Sequence, residues 1–357
     1  MKLSLAQQTL LTPNDSDAPS YLIKLASNQP LDYQAGDWIT VQGQNPSYLV
    51  NQVLERLALK PDQFISLRRQ GELTVAQALT HHLELTLLDP AILNKLVRQH
   101  GFDHWSDRAQ MQAYAQGRDV LDLLLAFPDL QQWGVEFLTL LSPLAPRYYS
   151  IASSPLCYPN QIHLLYKAIR YQHDHRERVG VTSAWMAQAQ VGDLLDIEIK
   201  PNKHFKLPDD PSTPIVMLAA GTGLAPFIGF LQQREAQGAR GQNLLYFGET
   251  HRQSRFLCQA ELEGWQAQGL LALDTAFSRD QPDKVYVQNR LLVNQAWLAA
   301  WESSAHLYIC GDKAGLAKAV EQQIKAIWMQ NYRWQAEQAD QAWLDAKQQK
   351  RIQMDVY

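Results

Sequence analysis

Cysteine is scarce. The chain holds three in 357 residues, Cys157, Cys258 and Cys310, too far apart for a disulfide framework or a zinc site. A reducing, cytoplasmic setting is the expectation. An excess of charge of one sign is missing too: 32 Lys and Arg oppose 36 Asp and Glu, for a net charge of −4. That balance gives no electrostatic reason to expect nucleic acid or an anionic membrane as partner. No apolar run approaches the roughly 20 residues that span a bilayer. The opening Met1-Lys2-Leu3-Ser4-Leu5-Ala6-Gln7-Gln8 lacks the apolar core of a secretory signal. His81, His82, His100 and His104 are not spaced as metal ligands, and no metal is expected. What is present is a globular composition, 46% hydrophobic, with length enough for two or three domains.

The texture changes along the chain. Residues 1–45 read as short strands, Tyr21-Leu22-Ile23-Lys24-Leu25 and Trp38-Ile39-Thr40-Val41, with Gly36-Asp37 as a turn. Between 46 and 141 the period becomes helical, with Leu49, Val50, Val53, Leu54 and Leu57, and later Leu121, Leu124 and Leu125. Strand signals return over 142–207, in Arg147-Tyr148-Tyr149-Ser150, the apolar run from Ile162 to Tyr171, and Leu194 to Ile199. The reading is a small antiparallel barrel interrupted by a helical insertion. From 208 to 357 strands alternate with helices, which implies a parallel sheet with ligand at the strands' carboxyl ends.

One stretch organises that last part: Ile215-Val216-Met217-Leu218-Ala219-Ala220-Gly221-Thr222-Gly223-Leu224-Ala225-Pro226-Phe227. A buried strand runs through a glycine turn into a helix. Glycines let the backbone approach a phosphate, and the helix start supplies free N–H groups. Pro226 occupies the third glycine position of the dinucleotide fingerprint, but it suits a first helical turn. Gly180-Val181-Thr182-Ser183 is a second turn of anion-binding shape.

Taken in order, these motifs resemble the NADPH–FAD module of the diflavin reductases, in particular the sulfite reductase flavoprotein type. The resemblance covers the chain from about Leu31 onward, including the helical connecting insertion. It implies a multi-domain chain: an antiparallel β-barrel FAD domain (1–45 and 142–207) with a helical connecting insertion (46–141), then an α/β parallel-sheet NADP-binding domain (208–357). By the same resemblance, Arg147 neutralises the FAD pyrophosphate, Tyr149 packs on the isoalloxazine beside Tyr148, and Ser150 lies near flavin N5. Gly180, Val181, Thr182 and Ser183 hold the same pyrophosphate, and Tyr171 and Thr86 are further FAD contacts. Gly221, Thr222 and Gly223 match the pyridine-nucleotide loop, although the family's usual Gly-Pro before it is Ala219-Ala220 here. Ser278, Arg279, Lys284, Tyr286 and Gln288 match the pocket for the 2′-phosphate of NADPH. Cations and hydroxyls suit a phosphate monoester, whereas Glu249 would suit NAD. An aspartate of the family's last helix is Ala319.

The catalytic group implied by the resemblance is Ser150, Cys310, Asp355 and Tyr357, with Tyr357 stacked where nicotinamide must arrive. The expected activity is hydride transfer from NADPH to FAD, with electrons then passed to a separate protein. A flavodoxin, an FMN protein or a haem or iron–sulfur reductase such as sulfite reductase is the expected acceptor, because the chain opens without an FMN domain. Two other readings are a ferredoxin- or flavodoxin-NADP reductase and a non-catalytic docking module of a redox complex.

Overall fold

The computed structural model describes residues 1–13, 18–68 and 70–357. The chain divides into two compact units, one of Met1–Thr40, Tyr148–Lys167 and Gln190–Tyr357, the other of Val41–Arg147 and Ala168–Ala189.

The first unit contains two sheets. The antiparallel one has six strands, in the order Arg147–Ser150, Trp38–Val41, Leu194–Lys200, Lys2–Leu10, Ser20–Ala26, Gln161–Lys167. Alternation builds its core face: Leu3 and Leu5, Ile23 and Leu25, Leu195 and Ile197 are buried. Beyond the end of the first strand in that order, Ile151 bridges to Leu164 of the last, and the Ala152 N–H donates to the His163 carbonyl at 2.8 Å. The sheet therefore closes on itself as a barrel. The strand Lys2–Leu10 was hidden in the sequence because its register shifts between Leu5 and Gln7 and breaks the two-residue period. The apolar run read from Ile162 to Tyr171 is two strands, Gln161–Lys167 and Arg170–His173.

The second sheet of this unit is parallel throughout, in the order Ala272–Phe277, Asn243–Glu249, Ile215–Ala220, His306–Gly311, Ile352–Val356. Helices cover both faces, so the central strands read as nearly unbroken apolar runs. Met217 and Ala219 face a core with Phe205, Phe227 and Phe230; Val216 and Leu218 face one with Trp297, Ile324 and Trp328. The edge strand Ile352–Val356 was not read from the sequence, since Gln353 and Asp355 interrupt its apolar pattern.

The other unit is mainly helical, with Ser47–Arg56, Val75–His81, Pro90–His100, Arg108–Ala115 and Val120–Ala126 packed around Val53, Leu79, Leu93 and Phe137. Thr74, Asp89, Asp107 and Asp119 cap four of these helices, each side chain accepting a backbone N–H of the first turn. A hairpin of Phe64–Leu67 and Gly71–Thr74 also lies within the stretch read as helical. His100 and His104 rest against Trp133 and Phe127. A second hairpin, Arg170–His173 with Arg176–Val179, is tied down by Arg176 and Arg178 on Asp119 and Asp122. No helix among the described residues is long and apolar enough to cross a membrane.

Two glycines make a paired test of this packing. A Cβ on Gly223 would overlap the Cys310 carbonyl oxygen, whereas one on helical Gly264 meets nothing within 4 Å. Gly223→Ala should lower stability by about 1–3 kcal/mol through overpacking. Gly264→Ala should raise it by about 0.5–1 kcal/mol by relieving helical glycine. Urea denaturation of both variants checks the pair.

Candidate functional site

The parallel sheet delivers its glycine turn at the carboxyl edge. The strand Ile215–Ala220 ends at Gly221, whose φ of 55° is left-handed, and Gly221–Leu224 coil as one short 3-10 turn. The helix Ala225–Ala236 follows with Pro226 in its first turn and no side chain capping its N–H groups. Beside the turn lies a cleft of about 530 Å³, lined among others by Lys167, Gly221, Glu249, Ser278, Tyr286 and Gln288. Backbone bonds from Ser278 to Glu249 and from Arg279 to Thr250, both 2.8 Å, hold the following loop against the strand Asn243–Glu249. Arg279 and Lys284 stand on this loop as exposed cations and do not line the cleft. The Glu249 carboxylate is engaged by its neighbour, accepting the Thr250 N–H at 2.5 Å and the hydroxyl at 3.1 Å.

At the same edge the last strand pairs Asp355 with Cys310 in register. Asp355 is 8% exposed and its two oxygens have separate donors. The Ser150 hydroxyl reaches Oδ2 at 2.7 Å, and the Trp38 indole N–H reaches Oδ1 at 3.0 Å. The Cys310 thiol is 4.0 Å from Oδ2. Burial pushes the Asp355 carboxyl above the ordinary range, against the pull of Ser150, Trp38 and the Lys206 charge. Burial, and then the Asp355 charge, push the Cys310 thiol well up, so it is a neutral thiol at pH 7. Tyr357 continues past this strand: its N–H donates to the Gly311 carbonyl at 3.3 Å, and its hydroxyl lies 3.3 Å from that of Thr222 in the glycine turn. Ser150, Cys310, Asp355, Tyr357 and Thr222 are thus brought together. Tyr148 is 60% exposed with its ring edge-on to Trp38, and Tyr149 meets Tyr166 edge to face.

The second unit holds a group of different chemistry. The helix Val181–Gln188 starts at Gly180 with no side chain on its first N–H groups. The Thr182 hydroxyl is buried without a hydrogen-bond partner, while that of Ser183 accepts the Ile169 N–H at 3.1 Å. Gly43 runs so close to Thr182 that a Cβ would meet its Oγ1 at 2.5 Å. Arg147 donates to Glu84 at 2.6 Å, and the same Glu84 accepts both the N–H and the hydroxyl of Thr86. Tyr171 points its hydroxyl to the Gly117 carbonyl at 3.4 Å. An orphan hydroxyl, an uncapped helix start and a close glycine fit a diphosphate, and Arg147 is a half-exposed cation of the same unit. Glu84, Trp38 and Lys167 were missed in the sequence. Glu84 stands two residues before Thr86 and Trp38 directly after the Gly36-Asp37 turn, but only the tertiary pairing gives either a role.

An FAD binding domain family model matches residues 90–185, and an oxidoreductase NAD-binding domain model matches 217–322. The chain is 38% identical over 337 residues to a sulfite reductase [NADPH] flavoprotein alpha-component of Bacillus subtilis, covering 92% of this chain and 56% of that protein. It is 37% identical over 364 residues to the protein of the same name from Yersinia enterocolitica, covering 100% of this chain and 60% of the relative. The counterpart from Yersinia pestis is 37% identical with 59% of its length covered. The chain thus spans somewhat over half the length of the curated relatives it matches. Both domain models match in sequence order and these identities run across the two, so the chain is similar throughout to the FAD-binding and NAD-binding part of these flavoproteins.

Proposed function

We propose that this chain draws electrons from NADPH through FAD and delivers them to a separate redox protein. The acceptor is a flavodoxin, an FMN protein or a haem or iron–sulfur reductase. The matched relatives are named as components of an NADPH sulfite reductase, which favours a sulfite-reducing partner. The observation that carries the reading is the 2.7 Å contact of Ser150 with Asp355, which joins the Arg-Tyr-Tyr-Ser strand to the nucleotide sheet beside Cys310 and Tyr357.

FAD, when bound, supplies the redox chemistry, accepting hydride from NADPH and releasing electrons to the next carrier. The protein's own residues bind and align. In the second unit, Arg147 and the N–H groups of Gly180, Val181, Thr182 and Ser183 neutralise the FAD diphosphate, with Thr86 and Tyr171 as further contacts. In the first unit, Tyr148 and Tyr149 offer ring faces to the isoalloxazine. Gly221, Thr222 and Gly223 cradle the NADPH diphosphate. Ser278, Arg279, Lys284 and Gln288 take the 2′-phosphate, and Tyr286, 45% exposed, stacks on adenine. Asp355 sets a negative charge where the nicotinamide becomes positive as its hydride leaves, with Ser150 fixing the carboxylate and neutral Cys310 filling space beside it. Tyr357 covers the nicotinamide position and must swing out for turnover.

The domains follow this assignment: residues 1–45 and 142–207 as the FAD barrel, 46–141 as the connecting insertion, and 208–357 as the NADP domain. Three free thiols support a cytoplasmic setting.

Purified protein should hold one FAD per chain, reduce an artificial dye with NADPH, and reduce a haemoprotein faster once the correct carrier is added. A protein that neither retains nor rebinds FAD and shows no NADPH-dependent dye reduction would overturn the proposal. Arg279→Ala should weaken NADPH by about 1.5–3 kcal/mol in kcat/KM and leave NADH nearly unchanged. An equal loss with both nucleotides would make Arg279 structural. Deleting Tyr357 should raise the relative use of NADH, because the ring competes with nicotinamide and not with the 2′-phosphate end. Steady-state kcat/KM for the two nucleotides checks this, and an unchanged ratio would reject the covering role.

A further inference from the structure

Asp355 takes a hydrogen bond from a barrel strand far from it in the chain. Its Oδ1 accepts the Trp38 indole N–H at 3.0 Å, from a strand 317 residues earlier in the chain. Its Oδ2 faces Ser150 at 2.7 Å and Cys310 at 4.0 Å. The carboxylate therefore has a different neighbour on each oxygen, and rotation about its Cβ–Cγ bond would break both bonds at once. The indole ring meets that of Tyr148 edge-on, with centroids 6.0 Å apart and planes at 89°. The ionisable groups around Asp355 are Cys310 on the neighbouring strand, Tyr357 at the tail, and Lys206, which donates to Asp37 at 2.6 Å. No cation is in direct contact with the carboxylate among the described residues; the neutral donors Trp38 and Ser150 stand where one would otherwise be needed.

We propose that Trp38 is a positioning residue for Asp355, fixing the carboxylate through Oδ1 so that Oδ2 stays directed at Ser150 and the thiol of Cys310. The proposal rests on the NADPH reading for its catalytic consequence, but the contact itself does not. Hydrogen bonding to the charged form favours that form, so the indole also keeps Asp355 ionised to lower pH. Loss of the N–H raises the pH at which Asp355 takes up its proton.

The test uses Trp38→Phe, which keeps an aromatic ring and removes the donor, with Asp355→Asn as the partner variant. The first readout needs no nucleotide. Among the ten tryptophans, the indole N–H resonance lost in Trp38→Phe identifies Trp38 in the ¹⁵N-labelled wild-type holoprotein. That resonance should move with a single titration that is absent in Asp355→Asn. The second is the pH profile of NADPH-driven dye reduction, whose acid limb in Trp38→Phe should move up by about one pH unit with little change in KM, as expected for a donor to a charged group. A Trp38 resonance that does not move, or an acid limb that stays in place in Trp38→Phe, would overturn the assignment. Should Trp38→Phe fold poorly, the wild-type and Asp355→Asn titrations alone decide, with the Trp38 signal assigned by sequential correlation. Wild-type protein without NADPH turnover would count against the proposed function, whereas intact turnover with a silent indole would count against Trp38 alone.

Discussion

A carboxylate taken out of water must be held by donors or lose its charge. Asp355 is such a group, and the architecture of the first unit meets its needs from three directions. The parallel sheet supplies its backbone, one barrel strand brings Ser150, and another brings Trp38. Sheet and barrel must be built correctly before this side chain has its full set of partners. Its position then fixes the rest of the edge, because Cys310 lies across the ladder and Tyr357 two residues on.

The glycine turn obeys a harder constraint, one of volume. Gly223 packs so closely on the Cys310 carbonyl that no side chain fits there, and the close approach brings the turn against the strand carrying Cys310. The second unit applies the same device with different residues, bringing Gly43 onto Thr182. Both are places where backbone proximity, and not side-chain chemistry, sets the shape of a turn.

Much of this was legible in the sequence, for a physical reason. Strands buried on two faces, such as Ile215–Ala220, have only apolar residues to show, and a glycine turn followed by Pro226 has few alternatives to a strand–turn–helix joint. Amphipathic helices such as Ser47–Arg56 show their period directly. Legibility failed where tertiary pairing supplies what local pattern lacks. The strand Lys2–Leu10 hides behind a shifted register, and Ile352–Val356 carries Asp355 inward as a buried acid, against the ordinary hydrophobic code. Glu84 gave no local signal either, since an acid beside a threonine reads as surface until the arginine 63 residues away is placed on it. The exposed placement of Arg279 and Lys284 outside the cleft is equally a property of loop geometry that composition does not encode.

The long separations within the Asp355 cluster have a consequence for how the protein is made. Ribosomes add about 5–20 residues each second, so Trp38 leaves the exit tunnel roughly 15–60 s before the carboxylate that it will hold. Through that interval the strand His306–Gly311, once made, lacks its outer neighbour, and a sheet edge of Leu307, Tyr308 and Ile309 is open to other chains. The strand Ile352–Val356 closes that edge and completes the set of contacts around Asp355 in one event. A nascent chain can therefore form its barrel and glycine turn early, yet it gains an aligned carboxylate only when the exposed edge is sealed, which ties the ordering of this buried acid to protection against aggregation.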